Sequence, residues 1–594
     1  MCSQVLLPQG LALMLSFREY RRSQCLRNPL MAPMSKDLSI QPGIRTRDGS
    51  YTEMILRWQK MKLRIQSAHA LDDETTLLMR VEALEDDPLH AGSLILELAY
   101  LWQRPGYSCV EQGRLTAVQD GQRIQVYVDG TQEEELWTQA TGPHQVFSLA
   151  TPLLLSASAS GAAVQVEEQI EGQRQCCLQE LQAAGANQDL VDGLHCGLYW
   201  NTIYEPVKQR VCTPVSRRWS CKGGGYSLFC WDTYFAAFMA SESDFELAVA
   251  NLVEITRESE GLGFVPNCAH RTFASRDRSQ PCVGAMILRE LYRRSSERWL
   301  CELLFEELLT WNRWWMEARS HGDELCWGSN AYEPRVGNPW ESNGVHDRFG
   351  AALESGLDNS PLYDDIPFNP ETHMLELADV GLMSLYVLDC EALADLASVL
   401  GRKEEALELQ QRAARVGTAL KKLWHEETGV FLNRRTDTGS FSPRIAPTNL
   451  YALLSGVCEE EQVERMLEDV LFHPEKLGGD WLLPSISRDD PAFADQDYWR
   501  GRIWAPMTFL VYLGLRRVNA REACRRLAEN AASLFLKDWR RQRCIYENYC
   551  AIRGEGGEVH NADPFYHWGA LLAVVALMEE GHLADPFPYG DFSL

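Results

Sequence analysis

Residues 377–401, LADVGLMSLYVLDCEALADLASVLG, and residues 403–424, KEEALELQQRAARVGTALKKLW, decide the fold class. Each has the three-and-four spacing of apolar positions that marks a helix. Such stretches recur from about residue 188 to the end, including FELAVANLVEITRE, LCELLFEELLTWNRWWMEAR, IWAPMTFLVYLGLRRV and HWGALLAVVALMEEG. Long loops rich in Gly, Pro and aromatic residues separate them. Paired helices over about 400 residues suggest a helical toroid whose loops at one end build a site. No 34- or 40-residue self-similarity points to a binding solenoid.

Upstream the pattern differs. KLRIQSAHA, TTLLMRVEAL, GSLILELAYLW, RIQVYVDG and HQVFSLATPLLLSAS combine alternation with short apolar runs, separated by turns such as Asp86-Asp87-Pro88. They predict an antiparallel β-sandwich over residues 45–163. Residues 164–190 then read as a helical linker, and 191–594 as the helical domain. Residues 1–44 are expected to be an N-terminal extension, open to disorder. Within them VLLPQGLALMLSF, residues 5–17, lacks a basic segment before it and is followed by REYRRSQCLR, the reverse of a signal peptide's charge order.

Composition excludes several classes. The net charge of −26, from 57 Lys and Arg against 83 Asp and Glu, repels phosphate backbones, so nucleic acid is not an expected partner. No other apolar run approaches the length of a membrane-spanning helix, so no membrane partner is expected. The 18 cysteines are scattered without a CxxC pair, which argues for buried thiols, a cytoplasmic setting and no metal site. No cofactor is expected, and the oligomeric state is left open.

Five loops carry a mixture of Trp, Asn, Arg and acids that suits a carbohydrate substrate. Aromatic faces stack on pyranose C–H faces, polar groups bond the hydroxyls, and two carboxyls perform acid–base chemistry. The first loop, 198–235, ends in Trp231-Asp232; alone, Asp232 is equally well an acid near a helix N-terminus. The second, 261–284, holds Arg278 and Gln280 before Pro281. The third, 328–361, holds Trp340, Glu341 and Asp358; alone, an Asp in ESGLDNSP is usually a turn former. The fourth holds Tyr498, Trp499, Arg500 and Trp504. The fifth, 545–568, holds Glu547 and Trp568; alone, a Glu between aromatics is also compatible with a solvated edge residue.

Taken in order, WDTYF, DRSQP, ESGLDNSP, YWRGRIW, YENY, GEGGE and HWGALL resemble glycoside hydrolase family 63, and are similar motif by motif to the family 37 trehalases. The resemblance covers about residues 195–580. It implies an (α/α)6 barrel that follows the β-sandwich in the chain, an inverting exo-acting α-glycosidase, and α-glucoside as the first substrate class. It makes Asp358 the general acid and Glu547 the base that activates water. It puts Trp231 and Asp232 in the subsite of the cleaved sugar, Arg278 and Gln280 on nearby hydroxyls, and Trp499, Arg500, Trp504 and Trp568 in the walls. Cys282 departs from the proline usual after RSQP, and the segment 337–356 is longer than a minimal version of that loop. Both departures bear on the leaving-group side.

An inverting site needs carboxyls about 6.5–9.5 Å apart. Burial, or Glu354 as a charged neighbour, would keep Asp358 protonated; Tyr hydroxyls or an Arg would hold Glu547 ionised. A trehalase is the nearest alternative, but DYWRGRIWAP lacks the QWD pattern. An epimerase or isomerase on the same toroid would work through paired histidines, and neither ESGLDNSP nor YENY contains one. A non-catalytic carbohydrate-binding protein could dispense with one carboxyl; both are present.

Overall fold

The structure is a computed structural model. It describes residues 3–6, 9–19, 24–27, 38–84, 92–134, 139–159, 165–219, 226–270, 273–331, 347–557, 562–583 and 586–594. The chain forms two compact units. The first comprises Met1–Trp200 with Gln542–Cys544, the second Asn201–Arg541 with Ile545–Leu594.

The first unit contains thirteen strands among its described residues: β1 (Ser3–Leu6), β2 (Leu11–Glu19), β3 (Gln24–Leu26), β4 (Leu38–Arg45), β5 (Tyr51–Trp58), β6 (Met61–His69), β7 (Leu77–Ala83), β8 (Ser93–Tyr100), β9 (Tyr107–Glu111), β10 (Arg114–Gln119), β11 (Gln122–Asp129), β12 (His144–Ser148) and β13 (Leu153–Ser158). Eight form an antiparallel sheet in the order β4-β5-β6-β7-β13-β11-β10-β9. The second sheet runs β1-β2-β8-β12, with β3 also paired to β2.

This corrects the reading of residues 1–44 as an extension. The strand β2 is internal to its sheet, pairing β8 from Leu11↔Tyr100 to Arg18↔Ser93, and is buried along almost its whole length. A strand covered on both faces reads as a continuous apolar run, which is why residues 11–19 lack the alternation that marked the other strands. The linker assignment changes too. The helix Val166–Gln182 buries Val166, Ile170, Cys177 and Leu181 against Ile44, Tyr51, Ala68 and Leu78 of the sheet. It is part of the first unit's core, and the unit runs on to Trp200.

In the second unit, helices alternate in character. Cys230–Ala240, Gly284–Ser295, Val380–Leu400, Ala505–Arg517 and Leu571–Glu579 are buried over most or all of their residues. The turns of Pro447–Ser455 are likewise fully buried. Phe245–Arg257, Arg298–Ala318, Lys403–Lys421 and Arg521–Gln542 each bury one face, as amphipathic helices do. The buried segments pack in sequence: Cys230–Ala240 on Gly284–Ser295, that on Val380–Leu400, then Pro447–Ser455, Ala505–Arg517 and Leu571–Glu579. The last returns to the first. Strands here are short antiparallel pairs, such as Ser227–Phe229 with Cys268–His270.

Because β2 is internal, removing it should unravel its sheet. Deleting residues 1–27 is expected to give an aggregating protein, since β8 would then expose an unpaired apolar edge. The milder Leu13→Ala should lower unfolding free energy by about 2–5 kcal/mol. Urea denaturation checks both, and unchanged stability after the deletion would refute this account of the strand.

Candidate active site

The loops of the second unit converge on a cavity of about 320 Å³. Nine predicted residues line it: Trp231, Asp232, Arg278, Gln280, Asp358, Tyr498, Trp499, Glu547 and Trp568. Two others stand back. Trp504 is buried behind the wall, stacked on Trp499 with ring centroids 3.5 Å apart. Arg500 is held by Asp495 and Asp364, each at 2.8 Å, and is not in the lining. Trp340 and Glu341 lie outside the described residues. Sequence reading missed Arg218, Asn267, Cys268, His270, Asp563 and Tyr566, all in the wall. Asp563 and Tyr566 sit inside the fifth loop, where proximity to HWGALL was a usable signal.

Asp358 follows the short helix Arg348–Glu354. The intervening Gly356 has φ +75°, and a Cβ there would lie 2.8 Å from the Trp231 ring. Glycine therefore permits both the left-handed turn and the close approach to the aromatic wall. Beneath this turn Glu354 is fully buried and held by Arg319, Nε to Oε2 at 2.6 Å and Nη2 to Oε1 at 2.9 Å. The Ser279 and Gly328 N–H groups donate to the same carboxylate, at 2.9 and 2.7 Å. Glu354 thus ties the second and third loops to the end of the helix Arg298–Ala318, and is not the charged neighbour expected to protonate Asp358. Burial is the main cause of the Asp358 carboxyl being pushed up to about 6, against the opposing charge of Arg278. Arg278 is itself held by both oxygens of Asp277, at 2.7 and 2.9 Å.

Glu547 is buried and held by two donors. Tyr498 Oη donates to Oε1 at 2.9 Å, and the Asp563 N–H donates to Oε2 at 3.0 Å. Tyr498 presents its hydroxyl from a left-handed backbone, φ 55°, steadied by the Trp504 Nε1–H bond to its carbonyl. The Trp568 Nε1–H donates to the Glu547 carbonyl at 2.9 Å. Burial pushes the Glu547 carboxyl well above the ordinary range, the Asp563 charge adds to this, and the two donors oppose it. Asp563 is paired with Arg218 at 2.8 Å. The arginine foreseen beside Glu547 therefore acts on Asp563.

Asp232 lies in the first turn of Cys230–Ala240 and accepts from Tyr566 Oη at 2.7 Å. Burial pushes it up to about 8 despite that bond, with Asp358 a further like charge. Trp231 meets Trp499 and Trp568 with centroids 6.4 and 5.9 Å apart, forming an aromatic box around the acids. Among the described residues no group of three His, Cys, Asp or Glu could hold a metal ion, and no helix is long and apolar enough to cross a membrane.

Residues 225–568 match the family model described as the mannosylglycerate hydrolase MGH1-like glycoside hydrolase domain. The chain belongs to this family, within glycoside hydrolase family 63 and related to trehalases. It is 24% identical to mannosylglycerate hydrolase MGH1 of Selaginella moellendorffii over 347 residues, 51% of this chain and 66% of that protein. It is 27% identical to the mannosylglycerate hydrolase of Rubrobacter radiotolerans over 355 residues, 50% of this chain and 74% of that one. A cytosolic neutral trehalase of Kluyveromyces lactis is 32% identical over 151 residues, 25% of this chain and 20% of that one. The chain thus spans just under two thirds of the Selaginella relative's length. In fold, it resembles a bacterial glucoamylase crystallised with acarbose, with a TM-score of 0.54 and 11% identity over 99% of this chain and 92% of that one.

Two outcomes follow from this geometry. Gly356→Ala should cost about 1–3 kcal/mol through its positive φ alone, with Trp231 displaced and its fluorescence altered. Asp232→Asn removes a carboxyl that is protonated in the folded chain up to about pH 8, whereas the ordinary value is 3.8. Below that ordinary value the raised pKa favours folding fully; its contribution is lost as pH rises towards the folded value. The variant lacks this decline, so its stability relative to the parent should rise by on the order of 1–4 kcal/mol between pH 5 and 8. Urea midpoints at the two pH values test it; a pH-independent difference would refute the buried, protonated Asp232.

Proposed function

We propose that this protein is an inverting α-glycosidase that removes one sugar from a small α-glycoside, with Asp358 as general acid and Glu547 as general base. The observation that carries the reading is the placing of both carboxyls, each buried and each with a raised proton affinity, in one aromatic-walled cavity. A protonated Asp358 delivers its proton to the departing glycosidic oxygen as the C–O bond breaks. An ionised Glu547 takes a proton from the water that attacks the opposite face of the anomeric carbon. The carboxyl separation expected for this is about 6.5–9.5 Å. Tyr498 and the Asp563 N–H orient the base, and the Trp231, Trp499 and Trp568 rings exclude bulk water. Asp232 and Gln280 are proposed to bind hydroxyls of the cleaved sugar.

The cavity volume lies near the low end for small-molecule sites, which favours a disaccharide-sized glycoside over a polymer. α-Glucoside is the first substrate class. The Selaginella and Rubrobacter relatives are mannosylglycerate hydrolases, which makes a mannoside of a small acid the second. The closed succession of six buried segments, most followed by an amphipathic partner, supports an (α/α)6 barrel. Sixteen thiols among the described residues support a cytoplasmic setting.

The decisive experiment is a screen of α-glucosides and α-mannosides in which NMR identifies the anomer first released. The β-anomer is expected; first-formed α-anomer would overturn the mechanism. Asp358→Asn should lose about two to four orders of magnitude on substrates with poor leaving groups, and much less on a glycosyl fluoride. Glu547→Gln should impair both. The pH profile of kcat/KM should be bell-shaped, with limbs belonging to the coupled pair. In Asp358→Asn acting on the fluoride, the basic limb should vanish, because no enzymic proton is then delivered, while the acidic limb set by Glu547 remains.

A further inference from the structure

The strand Cys268–His270 places its first and last side chains on one face, and both line the cavity. His270 Nδ1 lies 2.8 Å from the Tyr226 carbonyl oxygen, which can only accept, so Nδ1 carries the ring proton. Ser227 Oγ is 3.1 Å from the same nitrogen. The second nitrogen, Nε2, therefore presents its lone pair, and Cys268 Sγ lies 3.4 Å from it. The thiol donates to the imidazole, which the carbonyl orients. This is the order of nucleophile, base and orienting group that activates a thiol. Neither side chain is needed for the acid–base chemistry proposed above. Burial holds His270 below its ordinary value, so the ring is neutral at pH 7 and its Nε2 carries no proton.

We propose that Cys268 and His270 form a thiol modification site inside the cavity, taking small carbon electrophiles. With iodoacetamide as the probe, the sulfur lone pair forms an S–C bond to the methylene carbon. The C–I bond breaks with its electron pair leaving on iodide, and the thiol proton passes to His270 Nε2 and then to water. The adduct projects into the cavity that Asn267 and Phe229 also line, and takes up part of the space a substrate would need. A glycoside whose leaving group is itself electrophilic would thereby inactivate the protein that released it.

The contrast with neighbouring thiols sharpens the assignment. Cys230 and Cys282 are fully buried, their thiols are pushed well above the ordinary range by burial, and neither lines the cavity. Cys176 is exposed, and serves as an internal measure of reagent strength.

The test is timed alkylation of the whole chain with iodoacetamide, followed by peptide mass mapping. Cys268 should be modified on the folded protein while Cys230 and Cys282 stay protected. Loss of hydrolysis should track the Cys268 adduct and not the Cys176 adduct. Cys268→Ser should keep its own untreated activity through the same exposure. His270→Asn should slow modification of Cys268 by about a hundredfold relative to Cys176, the low side of what a positioned base contributes. Continued protection of Cys230 and Cys282 shows that this variant is folded. Cys268 remaining as protected as Cys230 and Cys282 after Cys176 has fully reacted would overturn the proposal. So would an unchanged Cys268 rate in a folded His270→Asn protein. The adduct map needs no substrate, so failure here is distinguishable from failure of the glycosidase reading.

Discussion

The site depends on the ion pair between Glu354 and Arg319. Both side chains have no solvent exposure, and the carboxylate accepts from the guanidinium twice and from two backbone N–H groups. A charge removed from water at this depth is tolerable only when its lone pairs are filled. The filling groups come from three segments: Ser279 from the second loop, Gly328 from the start of the third, and Arg319 from the end of the helix Arg298–Ala318. Ser279 stands between Arg278 and Gln280, and Glu354 itself leads through Gly356 to Asp358. The electrostatic requirement of one buried carboxylate thus fixes where the proposed acid stands relative to two polar groups of the wall.

The cavity itself concentrates like charge. Asp232, Asp358, Glu547 and Asp563 share its lining with Arg218 and Arg278. Arg278 is paired with Asp277 and Arg218 with Asp563, which weakens the field of both cations at the other acids. Desolvation therefore governs the remaining acids, and each is pushed towards its protonated form. That favours a proton donor at Asp358. It also makes Glu547 a stronger base once ionised, at the expense of needing a higher pH to ionise. The cavity achieves this by withholding water and cations, with aromatic rings forming the wall.

The carboxyl candidates were legible because their loops are rich in aromatic residues and glycine, and because the motifs recur in a known order. Arg500 and Trp504 were misplaced by the same logic. They stand within six residues of Tyr498, yet a tight turn sends Arg500 to Asp364 and Asp495 and puts Trp504 behind Trp499. Sequence distance predicts the loop, not the direction of a side chain. His270 and Cys268 went unremarked because a C-x-H pair acquires meaning only once it is known to lie on a strand facing a cavity.

The sequence by itself determined the switch from strands to paired helices, since periodicity of apolar residues is a local property. It also determined the candidate carboxyls, through residue type and motif order. Only the tertiary structure decided that residues 11–19 are an internal strand, because a run buried on both faces carries no periodicity to distinguish it. Only the structure showed Glu354 as a tie between loops, since its partner Arg319 and the Ser279 amide are remote in the chain. Proton affinities were likewise decided there. They depend on how completely water is excluded, and that is a property of all the converging loops together.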